Sequence, residues 1–71
     1  MLLLQDIINR FWYGMPVILI KWAEWEKVAT TPNIDKIKEK ALFTGFIHEI
    51  KDNYFVDSIG IIDNYLIITI H

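Results

Sequence analysis

The chain has no cysteine, so disulfides cannot stabilise it, and no Cys/His cluster has the spacing of a structural zinc site. A chain of 71 residues also buries a smaller fraction of its surface than a larger domain does. Its stability must therefore come from apolar residues, which make up 54% of the sequence, with 14% aromatic. This content exceeds what a small monomer can hide, and it predicts association, most simply as a symmetric homo-oligomer.

A surplus of positive charge is also lacking. The formal net charge of −2 gives no general attraction to phosphate backbones, so nucleic acid is not an expected partner. The apolar stretch Leu2–Leu4 is interrupted by Gln5 and Asp6, and then by Asn9 and Arg10, before a signal-peptide core or a membrane span could form. We therefore expect a cytoplasmic protein without a membrane partner.

The C-terminal segment 54–71 is rich in β-branched and aromatic residues, which predicts two strands joined by a tight turn at Asp63-Asn64. Side chains alternate across a strand, so each strand presents two faces. In the last strand these faces carry Leu66, Ile68 and Ile70 on one side and Tyr65, Ile67, Thr69 and His71 on the other. The hairpin is apolar on both faces and needs cover on both. We expect the same chain to cover one face and a second copy to bury the other, or its edge strand, through Tyr65, Ile67 and Val56 or their neighbours.

The N-terminal region predicts a helix and a strand. Apolar residues recur at spacings of three and four over 2–12, which is typical of an amphipathic helix, and Gly14 and Pro16 end it. The run Val17–Trp22 then predicts the first strand.

The middle of the chain predicts an excursion from 23 to 40, with a short helix that starts at Thr31-Pro32 and runs to about Lys40. The second strand is predicted over 41–50, where Gly45 indicates a bulge or a close backbone approach. The order predicts one α+β domain over residues 1–71, with the N-terminal helix packed on a four-stranded, mostly antiparallel sheet.

Aromatic and basic residues bracket the first strand. Such rings can stack on a base while Lys or Arg holds a phosphate. The candidate ligand-binding residues are Arg10, Tyr13, Lys21, Trp22, Trp25 and Lys27. The alternative is that the rings are ordinary core and interface residues. Trp25, set between Glu24 and Glu26, is the ring we least expect in a monomer core.

Catalytic patterns are weak. The pair His48-Glu49 lacks the second histidine that a helical zinc motif requires, and His71 stands alone at the end of the sequence. Asp57 and Ser58 with a histidine resemble a nucleophilic set, but no nucleophile elbow or glycine-rich oxyanion loop accompanies them. We expect no enzymatic activity, no metal and no cofactor.

Three segments carry a family resemblance: LLLQDIINRFWYGMPVILI, ALFTGFIHEI and VDSIGIIDNYLIITI. Their order resembles a family of small proteins from temperate phages that infect Firmicutes, over residues 3–20 and 41–70, whereas the excursion departs from that pattern. The resemblance implies a phage protein acting in an infected bacterial host. Small oligomeric phage proteins of this kind often act against host defence, by sequestering a nucleotide signal or by blocking a protein.

Three hypotheses follow. The first is a homo-oligomer that traps a nucleotide-derived immune signal, such as a cyclic ADP-ribose or a cyclic dinucleotide, between subunits. The second is a protein-interaction module that inhibits a host or phage protein through the segment 22–40. The third is an RNA-binding protein, because a helix followed by short strands is also the order of Sm-like rings, although the segment 54–60 lacks their Asp and Asn pocket.

Overall fold

A computed structural model describes residues 2–30 and 33–71. The elements in these ranges are helix α1 (Leu4–Ile8), strand β1 (Pro16–Lys21), helices α2 (Trp22–Val28) and α3 (Ile34–Lys40), strand β2 (Phe43–Phe46), a 3₁₀ turn (Ile47–Glu49), and strands β3 (Val56–Ile62) and β4 (Tyr65–Ile70). The predicted α+β fold with an N-terminal helix is confirmed. The predicted helix start at Thr31-Pro32 lies outside the described residues.

The strands form one mixed sheet of order β2-β1-β4-β3. β1 pairs antiparallel with β2, and β3 pairs antiparallel with β4, whereas the central strands β1 and β4 are parallel. The prediction of a four-stranded, mostly antiparallel sheet is therefore confirmed. The central strands are apolar at nearly every position because both faces of the sheet are covered there.

The turn between β3 and β4 has two residues in the left-handed region, Asp63 with φ 49° and Asn64 with φ 68°. Two consecutive positive φ values define the type I′ turn, whose twist matches that of the flanking strands. Asp and Asn tolerate this conformation better than other residues with a side chain. The predicted hairpin is thus confirmed at its turn.

Each face of the sheet carries its own apolar cluster. The first cluster, on the side of α1, contains Leu4, Ile7, Val17, Leu19, Ile47, Ile50, Leu66, Ile68 and Ile70. The second, on the side of α2 and α3, contains Ile18, Ile20, Val28, Ile37 and Ile67. The predicted alternation along β4 is therefore confirmed.

The packing of α2 and α3 on the second face of the sheet contradicts the expectation that a second copy buries Ile67. Ile67 is only 3% exposed because Val28 of α2 and Ile37 of α3 pack in the same cluster. The segment predicted as a surface excursion contains two helices instead of one, and these helices cover the sheet. A second copy is therefore not needed to bury Ile67.

Helix α1 is shorter than the predicted helix over 2–12. At its N-terminal side the chain is extended, and Leu3 forms a β-bridge with Phe55. The Val56 N–H donates to the Leu2 carbonyl at 2.8 Å, and the Leu4 N–H donates to the Tyr54 carbonyl at 2.8 Å. The first residues thus satisfy their backbone groups against the sheet and not within a helix.

The second strand also ends earlier than predicted, at Phe46 instead of Ile50. The Glu49 carboxylate accepts a hydrogen bond from the Phe46 N–H at 2.8 Å, which closes the 3₁₀ turn. At Gly45 the close approach is made by side chains and not by another backbone as predicted, since a Cβ there would lie 2.8 Å from Phe43 Cζ and 2.9 Å from Glu49 Oε1.

Candidate ligand-binding hollow

The six candidate ligand-binding residues lie at different places along the chain. Tyr13 precedes β1, whereas Lys21 ends it and Trp22 begins α2. Six strand residues span about 20 Å at roughly 3.3 Å each, so Tyr13 and Trp22 lie at opposite ends of the strand. One small ligand cannot touch both ends within a single chain.

Two of the other three candidates, Trp25 and Lys27, lie on α2, which follows the far end of β1. The Trp25 ring is half-buried and packs against the second cluster, so the expectation that it fits poorly in a core is wrong. Lys27 Nζ is 3.3 Å from a carboxylate oxygen of Glu24, one turn earlier on α2. Arg10 is exposed in the turn after α1. Of the six, Lys21 and Trp22 are brought together, beside His71.

A hollow of about 490 Å³ lies on the α1 side of the protein, and we call it the α1 hollow. Its lining consists of Gln5, Ile8, Asn9, Phe11, Tyr13, Ile47, His48, Ile50 and Lys51. These residues come from α1, from the loop that leads to β1, and from the 3₁₀ turn with the residue pair that follows it. The volume falls within the usual range of small-molecule sites.

A stacked pair of rings forms one wall of the α1 hollow. The Tyr13 and His48 ring centroids are 4.4 Å apart, and their planes differ by 12°. His48 Nδ1 donates a hydrogen bond to the Tyr13 carbonyl oxygen at 2.9 Å, because a carbonyl can only accept. The Tyr13 side of the stack faces solvent, since this residue is 73% exposed. The exposed face of the Tyr13 ring is therefore available to a ligand, and His48 supports the opposite face of the ring.

The opposite part of the hollow is held by Gln5. Its amide Nε2 donates to the Asp52 carbonyl at 2.8 Å and to the Ile50 carbonyl at 3.3 Å. Its backbone N–H donates to the Asn53 side-chain oxygen at 3.0 Å. These bonds tie the start of α1 to the segment after the 3₁₀ turn, so the shape of the hollow is fixed by contacts across about 45 residues of sequence.

Lys51 supplies an ammonium group to the lining of the α1 hollow. Its Nζ reaches the His48 carbonyl at 3.4 Å, at the outer limit of a hydrogen bond. Lys51 is exposed, so a ligand in the hollow can reach its ammonium group. The hollow thus places a cation and the Asn9 amide near an exposed aromatic ring.

A second hollow, of about 350 Å³, is lined by Trp22, Asp57, Ser58 and His71. Both carboxylate oxygens of Asp57 are 3.3 Å from His71 Nδ1. The Ser58 hydroxyl, however, is hydrogen-bonded to the Thr69 hydroxyl. Because the hydroxyl bonds to Thr69, it is not activated by the imidazole as a nucleophilic set requires.

No group of three or more His, Asp or Glu side chains converges in residues 2–30 and 33–71. Among the same residues, no helix is long and apolar enough to cross a membrane.

Sequence reasoning found Tyr13 in the α1 hollow and missed its companions. Gln5, Asn9 and Lys51 were ordinary surface residues in the sequence, and His48 was considered only as a metal or acid-base residue. No local signal relates Tyr13 to His48, because the two residues are 35 positions apart and His48 lies in the 3₁₀ turn after β2.

Comparison with protein-family models found no family that matches the chain. Comparisons with curated proteins and with solved structures found no match either.

Proposed function

We propose that this chain is a non-catalytic binding protein whose ligand is small, planar and anionic, of the nucleotide class, and sits in the α1 hollow. The observation that carries the proposal is the exposed Tyr13 ring, backed by the parallel His48 ring, in the same hollow as Lys51. An aromatic platform beside a cation is the combination that recognises a base and its phosphate.

Each part of the ligand has a counterpart in the hollow. The base stacks on the solvent side of Tyr13, and the Asn9 amide, which can donate and accept, reads the edge of the base. Lys51 meets the phosphate as a point charge. The apolar side chains of Ile8 and Phe11 cover the remaining surface of the ligand.

Isothermal titration calorimetry with adenosine, adenosine monophosphate, cyclic ADP-ribose and a cyclic dinucleotide tests this proposal. Stacking on an aromatic side chain contributes about 1–3 kcal/mol, so Tyr13→Ala should weaken binding roughly 5- to 150-fold. Lys51→Ala should weaken binding of the phosphorylated ligands more than that of adenosine.

The matched controls are Trp22→Ala and Lys27→Ala, which remove an aromatic ring and a cation outside the hollow. Both should leave the dissociation constant unchanged. The proposal fails if Trp22→Ala weakens binding while Tyr13→Ala does not, because the ligand would then lie at the other end of β1.

Sequestration and turnover give different products. If the protein only sequesters its ligand, heating the complex to denature the chain should return the ligand chemically intact, as judged by mass spectrometry. A ligand recovered in altered form would indicate an enzyme instead.

We propose the biological setting that the family resemblance implies. In that setting the protein is made by a temperate phage in the cytoplasm of its host and lowers the free concentration of a nucleotide-derived immune signal. Sequestration requires affinity and sufficient protein, because each site removes only one ligand molecule.

The alternative function is a protein-interaction module. It is favoured by the segment 22–40, where the Trp22 ring is 42% exposed although Val28 and Ile37 pack on the sheet. The two functions separate in one experiment, since thermal stabilisation by nucleotides supports ligand binding, whereas capture of one defined host protein without a nucleotide effect supports the module.

A further inference from the structure

Strand β3 lies at one edge of the sheet, and its backbone groups alternate in direction. Ile62 and Tyr65 flank the two-residue turn, so they form a hydrogen-bonded pair, and Gly60 with Ile67 forms the next one. The intervening residues Ile59 and Ile61 therefore direct their N–H and C=O groups away from β4.

The start of the same strand confirms this alternation. The Phe55 carbonyl accepts from the His71 N–H at 3.0 Å, toward the β4 side. The Val56 N–H points the other way and donates to the Leu2 carbonyl at 2.8 Å. A bulge between Val56 and Ser58 separates this end from the rest of the strand. The N-terminal segment thus occupies the outer edge of β3 only at its beginning.

The remaining edge is open and apolar. Within residues 2–30 and 33–71, no backbone group pairs with the outward N–H or C=O of Ile59 or Ile61. Their side chains lie on the α1 face and are 39% and 67% exposed. The stretch 58–62 contains no proline and no charged residue, which are the usual devices that keep an edge strand unpaired.

We propose that β3 pairs antiparallel with β3 of a second copy of this chain, about a two-fold axis at Gly60. Ile59 of each copy then lies opposite Ile61 of the other. The outward backbone groups of these residues form four hydrogen bonds, and the isoleucine side chains contact each other on one face. The product is a continuous sheet of eight strands.

Gly60 fits this arrangement. A Cβ at Gly60 would meet no atom within 4 Å in the single chain, so packing within the chain does not require glycine there. A glycine inside a strand often marks the close approach of another backbone. In the proposed pairing the two Gly60 residues face each other at the axis, where the strands come closest.

The contact between the two β3 strands is small. The chain exposes 4685 Å², close to the roughly 4,600 Å² expected for a folded monomer of its mass, so the pairing depends on this edge and not on a general excess of surface. Asp57 of each copy would lie opposite Asp63 of the other. The repulsion between these like charges limits the length of the paired stretch. The pairing involves one short strand of each copy, and we expect a dimer that forms at micromolar concentration.

Amide hydrogen exchange and sedimentation together test the pairing. At high concentration the Ile59 and Ile61 amides should exchange at least 10-fold more slowly than on dilution, while sedimentation shows a mass twice the 8.4 kDa of the chain. Ile61→Lys should give a folded monomer, because this side chain is exposed, and should remove the protection of both amides.

Leu42→Lys is the matched control, since Leu42 is 49% exposed but lies outside β3. It should leave the dimer intact. The proposal is overturned by a monomer at all concentrations, by a dimer that survives Ile61→Lys, or by a dimer in which the Ile59 and Ile61 amides exchange as fast as in the monomer. The nucleotide titration of Ile61→Lys is a separate test of the α1 hollow, which that substitution does not touch.

Discussion

The replacement Ile37→Ala tests whether α3 holds the second face of the sheet. Ile37 is fully buried and packs in a cluster with Ile18, Ile20 and Ile67. Truncating a buried isoleucine to alanine removes apolar contact and leaves a cavity, at a cost of about 2–5 kcal/mol. A chain of 71 residues has a total free energy of unfolding of about 4–11 kcal/mol, so the loss is a large fraction of it.

Urea unfolding followed by circular dichroism measures this loss. With a slope of about 1 kcal/mol per molar urea, the midpoint should fall by about 2 M or more. The melting temperature should fall by about 10 °C or more, since each kcal/mol shifts a domain of this size by about 4–8 °C. The control Leu42→Ala, at an exposed position, should change the free energy of unfolding by less than about 1 kcal/mol. A loss of less than about 1 kcal/mol for Ile37→Ala would refute the packing of α3 on the sheet.

Three further substitutions test local features by the same urea unfolding, at a dilution where the chain is monomeric. Asn33→Ala should cost about 1 kcal/mol, because the Asn33 side chain accepts two N–H groups of the first turn of α3, and an unchanged midpoint would contradict that cap. Asn64→Gly should raise the free energy of unfolding by about 0.5–1 kcal/mol, since glycine is unstrained at φ 68°, and a loss would argue against the type I′ turn. Gly45→Ala should cost about 1 kcal/mol because Glu49 must move, whereas Gly60→Ala should be neutral or slightly stabilising; equal effects at the two glycines would contradict the difference in their surroundings.

The sequence predicts those parts of the fold in which apolar residues recur at one regular spacing or a turn has a clear residue signature. The alternation of Leu66, Ile67 and Ile68 identifies both faces of β4, and Asp63-Asn64 locates the turn. The strand β1 was predicted to within one residue at each end, because an apolar run between Pro16 and a lysine allows few alternatives.

The parts that were missed depend on contacts between distant segments. Helix α2 was not predicted, because the segment 23–40 was interpreted as an excursion with one helix, and Trp25 between two glutamates was not expected in a core. The early end of β2 depends on one hydrogen bond from Phe46 to Glu49. The shortening of α1 depends on the pairing of its first residues with the segment around Phe55.

The candidate site was predictable only in its residue types. Aromatic and basic residues near β1 indicated a ligand, but a strand of six residues separates them into two groups. The α1 hollow combines Tyr13 with His48 and Lys51, more than 30 positions further along the chain. Such a combination has no local signal, because neither sequence spacing nor periodicity relates the two segments.

A nuclear magnetic resonance titration of the uniformly ¹⁵N-labelled protein with cyclic ADP-ribose and a cyclic dinucleotide is the most direct test of the α1 hollow. The account predicts saturable shifts at Gln5, Asn9, Tyr13, His48 and Lys51, and saturation at roughly 5- to 150-fold higher ligand concentration in Tyr13→Ala. Unchanged spectra with both ligands, or shifts confined to the residues around Trp22 and His71, would contradict it.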